Sequence, residues 1–267
     1  MSALGSLRAL PALLRAGVLE AVAYRAETLV WALTSTMPLI MLALFEAVAQ
    51  GGPLGRYGAP QFTAYFLATF VVRQLTSSWV SWQINMEVRD GTLAARLLRP
   101  VHPVMAYAAE SLAPMPLRAA VSLPVAVVLL AVVGSQQLAS DPVVWMLWGV
   151  SVVGAWLISL FVSLAIGALA FFMEQATRVM DLWLTVYFVL SGYLIPVDLF
   201  PHAARVAIDF LPFRYQIGLP VELMVGVHGR AEAFSLVGRQ WIFVLLTAWI
   251  VRLLWRRGLA RFAAYGG

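Results

Sequence analysis

Residues 143–173, VVWMLWGVSVVGAWLISLFVSLAIGALAFFM, run for 31 positions without a charged side chain. An α-helix needs about 20 apolar residues to cross a hydrocarbon core. This stretch is longer, so it predicts a spanning helix that tilts or projects past the bilayer. The pattern recurs on both sides of it. An apolar run ends, a turn signal follows and another run begins, about six times in 267 residues.

The remaining spans are read at about Leu29–Ala49, from Pro60 onward, and at Met115–Val133, Val179–Ile195 and Trp241–Trp255. The second is clearly apolar only through Phe62–Val72 and then becomes polar-leaning up to Met86. Gln50-Gly51-Gly52-Pro53 and Gly134 to Pro142 are loop signals. Residues 3–27 predict a helix lying near a membrane surface, with Arg8 and Arg15 on one face and Leu7, Leu14 and Val18 on a neighbouring one. The fold expected is all-α and integral to the membrane, a single unit of six transmembrane helices. It divides into an interfacial helix (1–28), two spans (29–86), a short amphipathic segment (87–106), three spans (107–195), an external segment (196–236), and a last span with a basic tail (237–267).

Composition supports this class. Hydrophobic residues make up 62% of the chain and charged residues 12%, far from the balance of a soluble domain. There is no Cys, which excludes disulfides and thiolate metal sites. All 18 basic residues are Arg, and without Lys no P-loop can be built, so nucleotide hydrolysis would fall to another polypeptide. The net charge of +5 does not indicate nucleic acid, because the arginines sit at the ends of apolar runs rather than along one stripe. With both termini cytoplasmic, inner segments hold 12 Arg and outer segments five, as the positive-inside rule requires. Residues 1–28 do not read as a cleavable signal, since Arg8, Arg15, Glu20, Arg25 and Glu27 interrupt them.

Three features stand out as candidates for mechanism. The first is Glu87-Val88-Arg89-Asp90-Gly91-Thr92-Leu93-Ala94-Ala95-Arg96-Leu97-Leu98-Arg99-Pro100. Thr92 can cap a helix in which Leu93 and Leu97 stack at i, i+4, and Pro100 stops it after two turns. This is either an ordinary positively charged inner loop or a lever that plugs into a partner protein. The second is the run from Ser191 and Gly192 through Pro196, Phe200, Pro201, Pro212 and Tyr215 to Pro220. Its four prolines exclude a single spanning helix, leaving a re-entrant hairpin that forms a gate, or an external loop with surface helices. The third is Arg73, about 20 Å along the second span at ~1.5 Å per residue. Either it faces protein or water within the membrane, with Ser77 and Ser78 lining a polar vestibule or a subunit interface, or the membrane boundary lies near Val72.

Other charges suggest less. Glu174, Arg178 and Asp181 predict ion pairs on an inner loop, with a second partner contact as the alternative. Asp198, Asp209 and Glu222, interleaved with Arg205 and Arg214, predict a solvated mixed-charge surface. His102, His202 and His228 lie far apart, and neither His-Glu-x-x-His nor Gly-x-Ser-x-Gly occurs, which argues against an integral membrane enzyme. A stand-alone secondary transporter or channel remains as the alternative, although inverted repeats are not visible.

The Gly91-Thr92-Leu93 and Leu97-Leu98-Arg99-Pro100 pattern resembles the coupling helix of ABC-2 type transporter permeases. The SGYLIPVDLFP run at 191–201, with Leu211-Pro212-Phe213, Tyr215 and Pro220, is similar to their external re-entrant hairpin. The closest likeness is to the branch with two different permease subunits and a separate ATPase. The resemblance implies an exporter half in the bacterial cytoplasmic membrane, with residues 87–100 seated on a dimeric ABC ATPase. It also implies a second permease subunit, a different chain or otherwise a copy of this one. Substrate would pass along the second and fifth spans, by Arg73, Ser77, Ser78, Tyr187 and Ser191, towards the gate. No cofactor or metal is expected on this chain, ATP and magnesium being bound by the partner; lipid surrounds it, and nucleic acid does not bind.

Overall fold

The computed structural model describes residues 3–23, 30, 36–133 and 137–265, and within them the chain is helical, with one isolated bridge between Leu54 and Tyr57. In chain order the helices are α1 (Ala3–Ala23), α2 (Met37–Ala49), α3 (Ala59–Thr76), α4 (Val80–Arg89), α5 (Leu93–Leu97) and α6 (Pro103–Leu112). They continue as α7 (Met115–Val133), α8 (Pro142–Ala168), α9 (Ala176–Leu190), α10 (His202–Asp209), α11 (Gly218–Met224) and α12 (Arg230–Tyr265).

The quoted stretch becomes α8, the axis of the molecule. Asp141 caps it by accepting from the Val143 amide at 2.9 Å, Pro142 fits its first turn, and a 3₁₀ turn at Leu169–Phe171 closes it. Helix α12 packs along α8, and α3, α4, α9 and α11 contact it as well. The last span read from sequence, Trp241–Trp255, is only the middle of α12. Its ends are helical because Ala233, Leu236 and Val237 bury one face and Trp255 another, while Arg256 and Arg257 stay exposed. Hydropathy marks the apolar part of a helix, not its length.

Helix α3 is buried almost all round, with Phe62, Tyr65, Phe66, Ala68 and Val72 shut off from solvent between α2, α7, α8 and α11. The second span is broken. Thr76 and Ser77 turn their hydroxyls back to the carbonyls of Val72 and Arg73 at 2.9 and 2.6 Å, a bonding pattern that competes with helix propagation. Ser77 is extended, and the chain resumes as α4 at Val80. The Ser78 carbonyl freed by the break accepts from Ser163 of α8 at 3.1 Å.

Helix α7 has the bounds read for the third span, and α1 falls within the expected interfacial helix and packs on α6. For the first span, Leu29 and residues 31–35 lie outside the described residues; Val30 and α2 are helical. The fifth span ends at Leu190 rather than Ile195, because the chain turns at Ser191-Gly192. Among the described residues, two helical stretches, Pro142–Phe171 and Arg230–Phe262, are long and apolar enough to cross a membrane.

Two ends can be told apart. At one, α4, α5, α6, the 169–175 turn and the C-terminal part of α12 share a core of Val80, Ile84, Leu93, Tyr107, Phe171 and Trp255. At the other, Arg56 pairs with Asp198 at 3.0 Å, Arg230 with Asp141 at 2.9 Å, and the Ala139 amide donates to the Met224 carbonyl at 3.0 Å.

Candidate functional site

The segment after α4 reverses at Gly91, whose φ of +75° suits glycine. Helix α5 is shorter than the expected two turns, with five residues ended by Leu98. Thr92 holds the N-cap position in helical backbone, yet its side chain makes no capping hydrogen bond. Leu93 and Leu97 were expected to face a partner. Instead Leu93 is fully buried against Ile84, Tyr107 and Leu164, and Leu97 packs beside it. The apolar pair therefore fastens the helix to its own body. What faces solvent is Leu98, 88% exposed, together with Arg89, Asp90, Gly91, Thr92, Arg99 and Pro100.

Beneath this face is a charged clamp. Arg96 of α5 grips Glu87 of α4 through two bonds of 2.6 and 2.9 Å and reaches Glu110 of α6 at 2.7 Å. Tyr107 donates to Glu87 at 2.6 Å and lies 4.3 Å under the guanidinium, and Gln83 donates to Glu110 at 2.7 Å. Burial opposes the charge on Arg96, but the hydrogen bonds it donates to Glu110 and Glu87 outweigh burial and raise its pKa. Burial, then the Glu87 carboxylate, pushes the Tyr107 hydroxyl up. Glu87 and Arg96, read as partner contacts, are thus spent on each other. Gln83, Tyr107 and Glu110 went unnoticed in the sequence; only the Gln83–Glu87 spacing of four hinted at their role.

Arg73 lies just before the helix break, half-buried. It reaches the Tyr187 hydroxyl at 3.3 Å and stands 5.6–5.9 Å from the rings of Trp79, Tyr187 and Tyr193. With Ser78, Ser159, Tyr187 and Gln216 it lines a hollow of 20 Å³, room for about one water. The structure therefore brings Arg73, Ser78 and Tyr187 together, whereas Ser77 faces a separate hollow and Ser191 is buried at the turn.

The residues read as a gate fall into two groups. Gly192, Pro196, Tyr215 and Pro220 are buried; Phe200 and Pro212 are half-buried, and Pro201 is exposed. Helix α10 lies at the surface with Val206 exposed, as is Phe210 just beyond its end, while all seven residues of α11 are buried. The solvated mixed-charge surface expected here does not form. Glu222 is 1% exposed, bonded to Arg214 at 2.7 Å and to His228 at 2.8 Å, and Arg214 also binds Asp209. A carboxylate this deep persists because the Arg214 guanidinium and the His228 ring share it. Sequence reasoning missed the pairing because it joins residues eight apart across an irregular turn.

At the end carrying α5, a 630 Å³ cleft is lined by Arg89, Glu174, Arg178 and Arg261 among others. Glu174, Arg178 and Asp181 are exposed, and among the described residues they form none of the expected ion pairs. Among the described residues, no group of three or more His, Cys, Asp or Glu is placed to hold a metal.

Among the described residues the chain is helical, with two helices long and apolar enough to cross a membrane. Residues 32–266 match the family model described as ABC-2 family transporter protein, and the chain belongs to that family. Its members are membrane components of transporters, not themselves catalytic, and they normally work with an ATPase subunit. No curated protein matches the chain.

Proposed function

We propose that this protein is one transmembrane half of an ATP-binding-cassette exporter, energised by a separate dimeric ATPase. It crosses the bacterial cytoplasmic membrane six times with both termini inside, and pairs with a second permease subunit, a different chain. ATP and magnesium belong to the ATPase. Residues 196–220 form the external gate, and substrate passes between the halves along α3 and α9.

The observation that carries this reading is the clamped α5. A five-residue helix cannot be stable alone, since nucleation fixes several residues for a single hydrogen bond. Here Leu93 and Arg96 bolt it to α4 and α6, while Leu98 projects almost fully into solvent. An exposed Leu on a rigid peg, ringed by charge, fits a cleft in a partner. Motion of that partner would reach α4 and, across the Ser77–Trp79 break, α3.

The test is co-purification with ATP-hydrolysing activity. Leu98→Asp should abolish association with the ATPase while the permease stays monodisperse in detergent. Leu93→Asp should instead destabilise the permease itself, because it buries a charge. Full ATPase association by Leu98→Asp would remove the peg from the mechanism.

A further inference from the structure

Arg56, Arg96, Arg214 and Arg230 each pair with a carboxylate, whereas among the described residues Arg73 and Arg118 form no ion pair. Both belong to spans of the proposed topology, Arg73 on α3 and Arg118 near the start of α7. An unpaired charge within a span marks a functional position by default, which holds for Arg73, and Arg118 stands at the inner end of the next span.

The two arginines flank one ring. Arg73 and Trp79 line the narrow hollow with Ser78, and Arg118 and Trp79 line a second hollow, of 220 Å³, with Ser77, Gln83, Glu110 and Ser111. Each hollow also holds an unanswered hydroxyl. Ser78 Oγ in the first and Ser111 Oγ in the second are buried without a hydrogen-bond partner. Glu110, which lines the same hollow, is held by Arg96 and Gln83 at 2.7 Å each and forms no ion pair with Arg118.

We propose that the break in the second span is a binding site for an anionic amphiphile, its phosphate or carboxylate head shared by Arg73 and Arg118. Guanidinium groups suit the planar, bidentate geometry of such oxygens. Ser78 and Ser111 supply hydroxyl donors to the remaining lone pairs. Trp79, Trp183, Leu184 and Tyr187 wall the narrower side with apolar surface. The 220 Å³ of the larger hollow is below the ~300–1,000 Å³ of a drug-sized pocket, so it admits a head and leaves the tail in lipid. The proposal names the chemistry of what is carried, and relies on the transport reading for movement but not for binding.

Native mass spectrometry of the full chain, loaded with phosphatidylglycerol or phosphatidylcholine, tests it, with glycerol phosphate and inorganic phosphate as tail-free arms. Phosphatidylglycerol should be retained in preference. Arg73→Gln and Arg118→Gln should each weaken retention roughly tenfold, the loss of one charge-assisted contact. Arg73→Lys should keep part of it, and Arg239→Gln, on an exposed face of α12, should change nothing. Equal retention of both lipids, retention indifferent to both glutamine variants, or tail-free phosphate binding as well as the lipid would overturn the proposal. An ATPase-coupled complex that ignores anionic lipid sinks the site and spares the transport reading. Arginine-dependent lipid binding by a chain that recruits no ATPase does the reverse.

Discussion

Gly192 has no room for a side chain. At φ +86° a Cβ would stand 2.6 Å from the Tyr65 hydroxyl, which donates to the Gly192 carbonyl at 2.8 Å. The turn that ends the fifth span is therefore pinned to α3 by a single close approach. His228 is the other residue with a sharp consequence. It bridges Glu222 at 2.8 Å and Glu232 at 3.1 Å, beside a loop whose Val227 carbonyl accepts from Arg56, and Arg214 holds the far side of Glu222. Burial alone would lower its pKa, but the two carboxylates outweigh burial and raise it. A raised folded pKa gives stability that is fully present below the unfolded value of about 6.5 and is lost as pH rises through the folded value. Thermal unfolding in detergent should thus show a melting temperature that falls above neutral pH, and His228→Gln should flatten that dependence. An unchanged profile in the variant would assign the effect to another group.

At the scale of elements, the clamp joins three short helices that could not hold their places alone. Arg96 offers one guanidinium to Glu87 and Glu110, so Arg96→Ala leaves two carboxylates facing each other with only Tyr107 and Gln83 as donors. Breaking a fully buried pair costs about 3–5 kcal/mol; with Glu110 keeping 30% of its side chain in solvent, about 2–3 kcal/mol is expected here. Hydrogen exchange should show the loss in α5 and α6 first, leaving α8 protected; uniform deprotection would mean that the clamp supports the whole fold. The sequence announced the existence of α5 through its charge and its proline. It could not show which face turned inward, because Leu93, Leu97 and Leu98 are chemically alike and only the body beneath them tells them apart.

For the whole molecule, the segments around 54–58, 139–141, 198 and 227–230 meet at one end, and 87–106, 169–175 and the C-terminal part of α12 meet at the other. The proposed six crossings would put these two groups of segments on opposite sides of the membrane. The chain has no cysteine, so single introduced cysteines report topology without background. Cysteines at Leu54 and Gly229 should label from outside intact cells, and those at Arg99 and Gln175 only in inverted vesicles. Labelling of Arg99→Cys and Gly229→Cys from the same side would rule out the six-span arrangement.

The sequence by itself determined that this is a helical membrane chain without the lysine a P-loop needs, and where its apolar runs and turns fall. Those properties are local: run length, proline and glycine placement, and the missing lysine can all be read without a partner. Only the tertiary structure decided that α3 breaks beside Arg73, that Leu93 anchors while Leu98 projects, and that Glu222 is buried between Arg214 and His228. Each of these depends on which distant side chain arrives within about 3 Å, and hydropathy and spacing along one chain carry no record of that distance.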